Sequence, residues 1–232
     1  MNIVSNDKLI IRNKRIGQAA MIGGLAVLAG GMLISVQYPD RFEISAGALL
    51  LGFVLSQVGI HFSNRWGRSP RPDELLSNGL KGLDSRYTLY HYTTPTPHLL
   101  VGPSGVWVLM PRHQRGEISY SNNRWHQKGG NLYLKIFAQE GLGRPDLEVK
   151  SEIELIQKFM SKVLPTGETA PEIRAALIFT HPKTEINIDA DEQPPAETLL
   201  LKDIKDVLRK NAKGKGISEV KARMIQDAIR TA

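Results

Sequence analysis

LLVGPSGVWVLMPRHQRG, Leu99 to Gly116, is the stretch on which the reading of the whole chain turns. Leu99–Val101 and Val106–Met110 are apolar, and the Gly-Pro-Ser-Gly between them is turn chemistry. The segment therefore predicts two antiparallel strands joined by a tight turn. Arg112, His113 and Arg115 follow the second strand at once, a cluster of bases with no acid among them.

Working outward, the apolar residues of the 232-residue chain are unevenly spread. No charged residue occurs from Ile16 to Pro39 or from Ile44 to Asn64, counting His61 as neutral. Each run matches the ~20 residues that a helix needs to cross a hydrocarbon layer of roughly 30 Å. Two transmembrane helices are expected, joined by the short return VQYPDRFE as an antiparallel hairpin. Tyr38, Phe42 and Trp66 suit an interfacial aromatic belt. Lys8, Arg12, Lys14 and Arg15 precede the first span, and Arg65, Arg68 and Arg71 follow the second. By the positive-inside rule this predicts an inner or plasma membrane protein with both termini cytoplasmic. The lack of cysteine fits a reducing compartment. Ala19, Gly23, Gly31 and Ser35 on one span, and Ala48, Gly52 and Ser56 on the other, predict small-residue faces that close the hairpin on itself or meet a second copy. Neither span holds an Asp, Glu, Lys or Arg, so an ion pathway has no group to use.

The rest divides into a basic N-terminus (1–15), the hairpin (16–64), a Pro/Arg linker (65–72), a globular domain (73–210) and a basic C-terminal helix (211–232). Asp73 is expected to cap a short helix through Lys81. Strands are expected at 87–92, 98–101, 106–110, 117–120 and 124–127, running as an antiparallel meander. A glycine-rich stretch, KGGNLYLKIFAQEGLGRP, leads to a helix from Asp146 to Leu164 with Leu147, Ile153, Ile156, Phe159 and Met160 as its apolar stripe. AALIFT, Ala175–Thr180, is a continuous apolar run and predicts a central strand covered on both faces. TLLL and an amphipathic helix through Ile204, Val207 and Leu208 follow, and Ser218 caps the last helix. This order describes an α/β sandwich with a mixed sheet.

From about Asp73 to Leu208 the chain resembles the nuclease-related domain, NERD, of the PD-(D/E)xK restriction-endonuclease-like fold. The resemblance is carried by HLLVGPSGVWVLMPRHQRG, the WHQ segment, the RPDLE helix start and ALIFT. It implies a site in which two strand-borne carboxylates hold a divalent metal, with a Lys two residues beyond the second acid to activate water. The Asp position falls at Pro97 or His98, the Glu at Met110 and the Lys at Arg112, so both acids are missing. Thioether sulfur is a poor ligand for Mg²⁺, and a guanidinium cannot act as a base. Glu148 stands where the family has a Gln.

The resemblance thus implies a domain that has lost metal-dependent hydrolysis, carries no cofactor, and serves as a binding or scaffold module. Its alternative is a Mg²⁺-dependent nuclease with acids relocated to Glu74, Asp84 or Glu117. His91, His98, His113 and His126 lack a zinc spacing and read as surface or strand-end residues. Arg112, His113, Arg115, Arg124 and Lys128 are the candidate phosphate-binding set. Membrane lipids, nucleic acid and protein are the candidate partners. The formal charge of +7 points the same way, since Leu201–Ala232 alone carries nine bases against four acids.

Overall fold

A computed structural model describes residues 1–129, 141–189 and 191–231. Most of the glycine-rich stretch between Lys128 and Pro145 lies outside the described residues. The chain forms two compact units, one of Met1–Asn6 with Pro72–Ala232, the other of Asp7–Arg71.

The smaller unit is a helical hairpin. Helix α1 runs Asp7–Gln37, a turn follows at Pro39–Arg41, and α2 runs Phe42–Phe62 before one π turn at Ser63–Gly67. Two helices here are long and apolar enough to cross a membrane, and Ile22, Leu25, Leu33, Val36 and Leu50 are exposed along them. Their seam has a seven-residue period: Gly17, Gly24 and Gly31 on α1 are buried, as are Ser45, Gly52 and Gly59 on α2. A repeat of seven keeps one face of each helix turned to the other along a left-handed crossing. Gly31 approaches Ala48 and Gly24 approaches Ser56, so the small face expected on α2 is the one used. On α1 the expectation is half corrected. Gly31 packs, but a side chain at Gly23 would meet nothing within 4 Å, and Ala19 and Ser35 are exposed. Trp66 is buried rather than displayed, with the Arg65 guanidinium 5.2 Å from its ring centre.

The larger unit is α/β with a mixed six-stranded sheet in the order β1-β2-β3-β4-β7-β9. These strands are β1 (Asn2–Ser5), β2 (Thr88–His91), β3 (His98–Gly102), β4 (Gly105–Arg112), β7 (Ile173–Phe179) and β9 (Glu197–Leu200). Antiparallel pairing links β2, β3 and β4, whereas β1–β2, β4–β7 and β7–β9 are parallel. The quoted hairpin is β3–β4, and Gly105 turns it with φ +106°, a conformation that side-chain-bearing residues avoid. ALIFT lies in β7, between β4 and β9, as its apolar run predicts.

Side chains alternate across a strand, so each face of this sheet has its own core. Val106 and Val108 of β4 join Leu99, Leu177 and Phe179 beneath α4 (Pro145–Val163), which contributes Val149, Ile156 and Met160. Trp107 and Leu109 join Leu89, Leu100 and Ile178 beneath α3 (Pro72–Gly79) and α5 (Ile204–Gly214).

Four expectations need correction. The sequence 1–15 is not a free tail: residues 2–5 add a parallel edge strand to the sheet, and α1 begins at Asp7. The meander stops at β4. Next in the chain, β5 (Gly116–Ser121) heads a separate sheet of order β6-β5-β8, with β6 at Arg124–Lys128 and β8 at Thr184–Ile188. Asp73 sits inside the first turn of α3 rather than capping it. Residues 211–232 are not a detached basic tail either. Helix α6 (Glu219–Arg230), capped by Ser218 as expected, sends Ile225 and Ile229 into the core of the α4 face. Its Gln226 donates to Val101 O and accepts from the Tyr90 hydroxyl.

Burial pushes the Tyr90 phenol up to about 12. The unfolded chain ionises near pH 10 while the folded one stays neutral, so this contribution is intact below pH 10 and lost between pH 10 and 12. Thermal melts in detergent should show the native protein losing its advantage over Tyr90→Phe across that window. In the hairpin, a valine at position 24 would bring its Cβ to 2.9 Å from Ser56 Oγ and 3.0 Å from Ser56 N. Gly24→Val should therefore destabilise the hairpin by about 2 kcal/mol, whereas Gly23→Val should leave the unfolding midpoint in detergent unchanged.

Candidate functional site

Strand β4 ends in Met110, Pro111 and Arg112, where the buried run gives way to half-buried positions. Met110 and Arg112 share the face covered by α4, as their even spacing from Val108 requires. The end of the strand is fixed by Thr180, whose backbone N and Oγ1 both donate to Arg112 O, at 2.8 and 3.1 Å.

Helix α4 begins at Pro145, and its first turn presents Glu148 to the end of β4. A guanidinium nitrogen of Arg112 lies 2.5 Å from Glu148 Oε2, with the arginine side chain 16% exposed and the glutamate 45%. The arginine at the position of the expected catalytic lysine is thus neutralised by the carboxylate at the position of the expected glutamine. Arg112 Nε and, one helical turn beyond Glu148, Glu152 Oε2 are buried without a hydrogen-bond partner among the described residues.

Gln114, absent from the sequence-based candidates, is the residue that organises the exit from β4. It is buried, its carbonyl accepts from Thr184 Oγ1 at 2.7 Å, and its amide donates to Gly141 O at 3.0 Å. Its only signal in the sequence is its place between the bases His113 and Arg115.

The candidate phosphate-binding residues divide between the end of β4 with its connection to β5 and strand β6, and these meet where Gln127 donates to Arg115 O. His113 is half-buried and Arg115 exposed on the short connection to β5, where Arg115 O accepts from Gln127. Arg124 and Lys128 stand with His126 on the exposed face of β6, alternating with the half-buried Trp125 and Gln127. By register, Lys128 lies beside Glu117, and Glu117 beside Glu185. Acid and base are therefore mixed at that end of the outer face.

The candidate relocated acids are dispersed. Glu74 belongs to α3, which covers the opposite face of the sheet from Arg112. Asp84 precedes β2 and so lies at the Gly102–Gly105 end of the hairpin, away from Arg112. It is clamped by Arg86, whose side-chain hydrogen bonds hold the carboxyl below its ordinary range. Glu117 alternates with the buried Ile118, which puts it on the outward face of β5, where it accepts from Asn187 at 3.0 Å.

No family model, curated protein or solved structure matches the chain. Among the described residues, no three His, Cys, Asp or Glu side chains gather as metal ligands would. What the end of β4 offers is a guanidinium held beside a carboxylate, a thioether and a buried amide, with the Glu152 carboxylate one helical turn further along α4.

Two of the four histidines stand at strand ends, as expected, and are buried there. His91 and His98 are 2% and 3% exposed, lie on the α3 face and touch each other through their ring nitrogens. Both are buried because those ends abut beneath a helix.

A double-mutant cycle of Arg112→Met and Glu148→Gln should give a coupling energy of about 1 kcal/mol in urea unfolding. The coupling should shrink as salt is raised.

Proposed function

We propose that this chain is a membrane-anchored docking module, a NERD-like domain of restriction-endonuclease-like architecture that has exchanged metal-dependent hydrolysis for binding. The observation that carries the reading is the Arg112–Glu148 ion pair. A nucleolytic site of this type needs carboxylates free to hold a divalent cation. Here the Glu148 carboxylate is already committed to a cation of the chain, and Met110 offers the metal no hard oxygen.

The hairpin is read as two spans in the inner or plasma membrane, with both termini on the cytoplasmic side. Support comes from the bases flanking the two apolar runs and from connectivity. Asn6 and Pro72 belong to the same compact unit, so a chain leaving at one and returning at the other must cross an even number of times. The outward face of β6, with Arg124, His126 and Lys128, is the surface on which phosphate-bearing partners are expected, either nucleic acid or lipid headgroups.

Full-length protein in lipid nanodiscs, incubated with labelled DNA or RNA and Mg²⁺ or Mn²⁺, should leave the strands intact. It should retain them by an interaction that falls steeply with salt and weakens several-fold in Arg124→Ala/Lys128→Ala. Metal-dependent cleavage that disappears in Glu148→Gln or Glu117→Gln would overturn the reading. Because the chain has no cysteine, Asp40→Cys and Lys210→Cys can report topology. An impermeant maleimide added to intact cells should label the first and spare the second.

A further inference from the structure

The β2–β3 connection builds a second polar constellation on the face of the sheet away from Arg112. His91 and His98 are cross-strand partners. Their Nδ1 atoms are 2.9 Å apart with ring planes at 80°, and His91 Nε2 lies 2.9 Å from Ser77 Oγ on α3. The loop that sets this register is closed by Tyr92 N donating to Pro97 O at 2.8 Å. Tyr92 takes φ +58°, a left-handed conformation that a bulky side chain adopts only under constraint from its surroundings, and its ring stands edge-on to His98 at 4.9 Å.

Each contact in the chain Ser77–His91–His98 can hold one hydrogen. When the serine hydroxyl donates to His91 Nε2, the neutral imidazole carries its proton on Nδ1, which lies 2.9 Å from His98 Nδ1. This is the order nucleophilic catalysis uses: a hydroxyl, a base within hydrogen-bond reach, and an acceptor that fixes the base's tautomer and orientation. Ser77 is half-buried, whereas both imidazoles are almost fully enclosed.

We infer that Ser77 is a nucleophile for acyl compounds, with His91 as its base and His98 as a positioning residue. Ser77 Oγ bonds to the ester carbonyl carbon while its proton passes to His91 Nε2. The alkoxide leaves with that proton; water, deprotonated by the same nitrogen, then bonds to the acyl carbon, the C–Oγ bond breaks, the proton returns from His91 to Ser77 Oγ and the carboxylic acid departs. A fluorophosphonate reports the first half alone: the Oγ–P bond forms, the P–F bond breaks, fluoride departs and the proton stays on His91. This chemistry is independent of the docking role, because it uses the opposite face of the sheet.

Full-length protein in detergent micelles is treated with a fluorophosphonate probe, and the adduct is mapped by peptide mass spectrometry. One adduct on Ser77 is expected, absent in Ser77→Ala and formed on the order of 100-fold more slowly in His91→Gln. The labelling rate should rise with pH through a single ionisation in the histidine range. That midpoint should fall in His98→Gln, which weakens the acceptor, and rise in His98→Asp, which strengthens it; a purely structural His98 would leave it in place. Hydrolysis of p-nitrophenyl butyrate should follow the labelling. A native protein whose Ser77 stays unmodified, or one whose Ser77 reacts as fast in a folded His91→Gln variant, overturns the inference.

Discussion

The two-sided burial of β4 is the constraint from which the larger unit follows. Its alternate side chains feed two separate cores, Val106 and Val108 on one side, Trp107 and Leu109 on the other. Burying each such side chain is worth roughly 1.5–3 kcal/mol, and none of that is gained unless helices cover both faces. Helix α4 supplies one cover, α3 and α5 the other. Polar chemistry is thereby pushed to strand ends. Arg112 stands at one, where β4 becomes half-buried, and the Ser77–His91–His98 chain stands at another, beneath α3 on the opposite face.

What could be read from the sequence were the elements with a strong local signal. The apolar runs gave the two long helices and β7, and turn residues bounded β2 to β6 within a residue or two. What could not be read was pairing. Asn2–Ser5 is exposed along its whole length, so its pattern carries no burial signal, and its partner lies beyond both long helices. Successive strands invite a meander, yet β5 leaves the first sheet. Gly116, with φ +95° and the Lys128 carbonyl against its α-carbon, marks the turn away, and no apolar periodicity encodes it. In α4 the stripe was right at Ile156 and Met160 and wrong at Leu147, which is 54% exposed; Val149 takes the buried place. The bases of α6 hid Ile225 and Ile229.

The candidate site was legible as a set of differences from the family that the sequence resembles, and far less so as geometry. Met110, Arg112 and Glu148 could each be named from the sequence, but only the fold brings the last two together. The same holds for the histidines, where spacing argued against zinc and said nothing about a hairpin register that sets residues 91 and 98 side by side. In the long helices, four-residue spacing suggested one face of α1, while a seam of period seven uses another. The buried contact follows the repeat that keeps two helices together over several turns.

The short strand Asn2–Ser5 has a consequence for how the protein is made. It emerges from the ribosome before the long helices, whereas the ladder that receives it, Thr88–His91, is synthesised only after both. Until Asn2–Ser5 pairs with it, that ladder has one bare, adhesive flank. Sealing it joins the residues that precede the helical hairpin to the same compact unit as those that follow it, so the sheet is completed only by a chain that has already made both long helices.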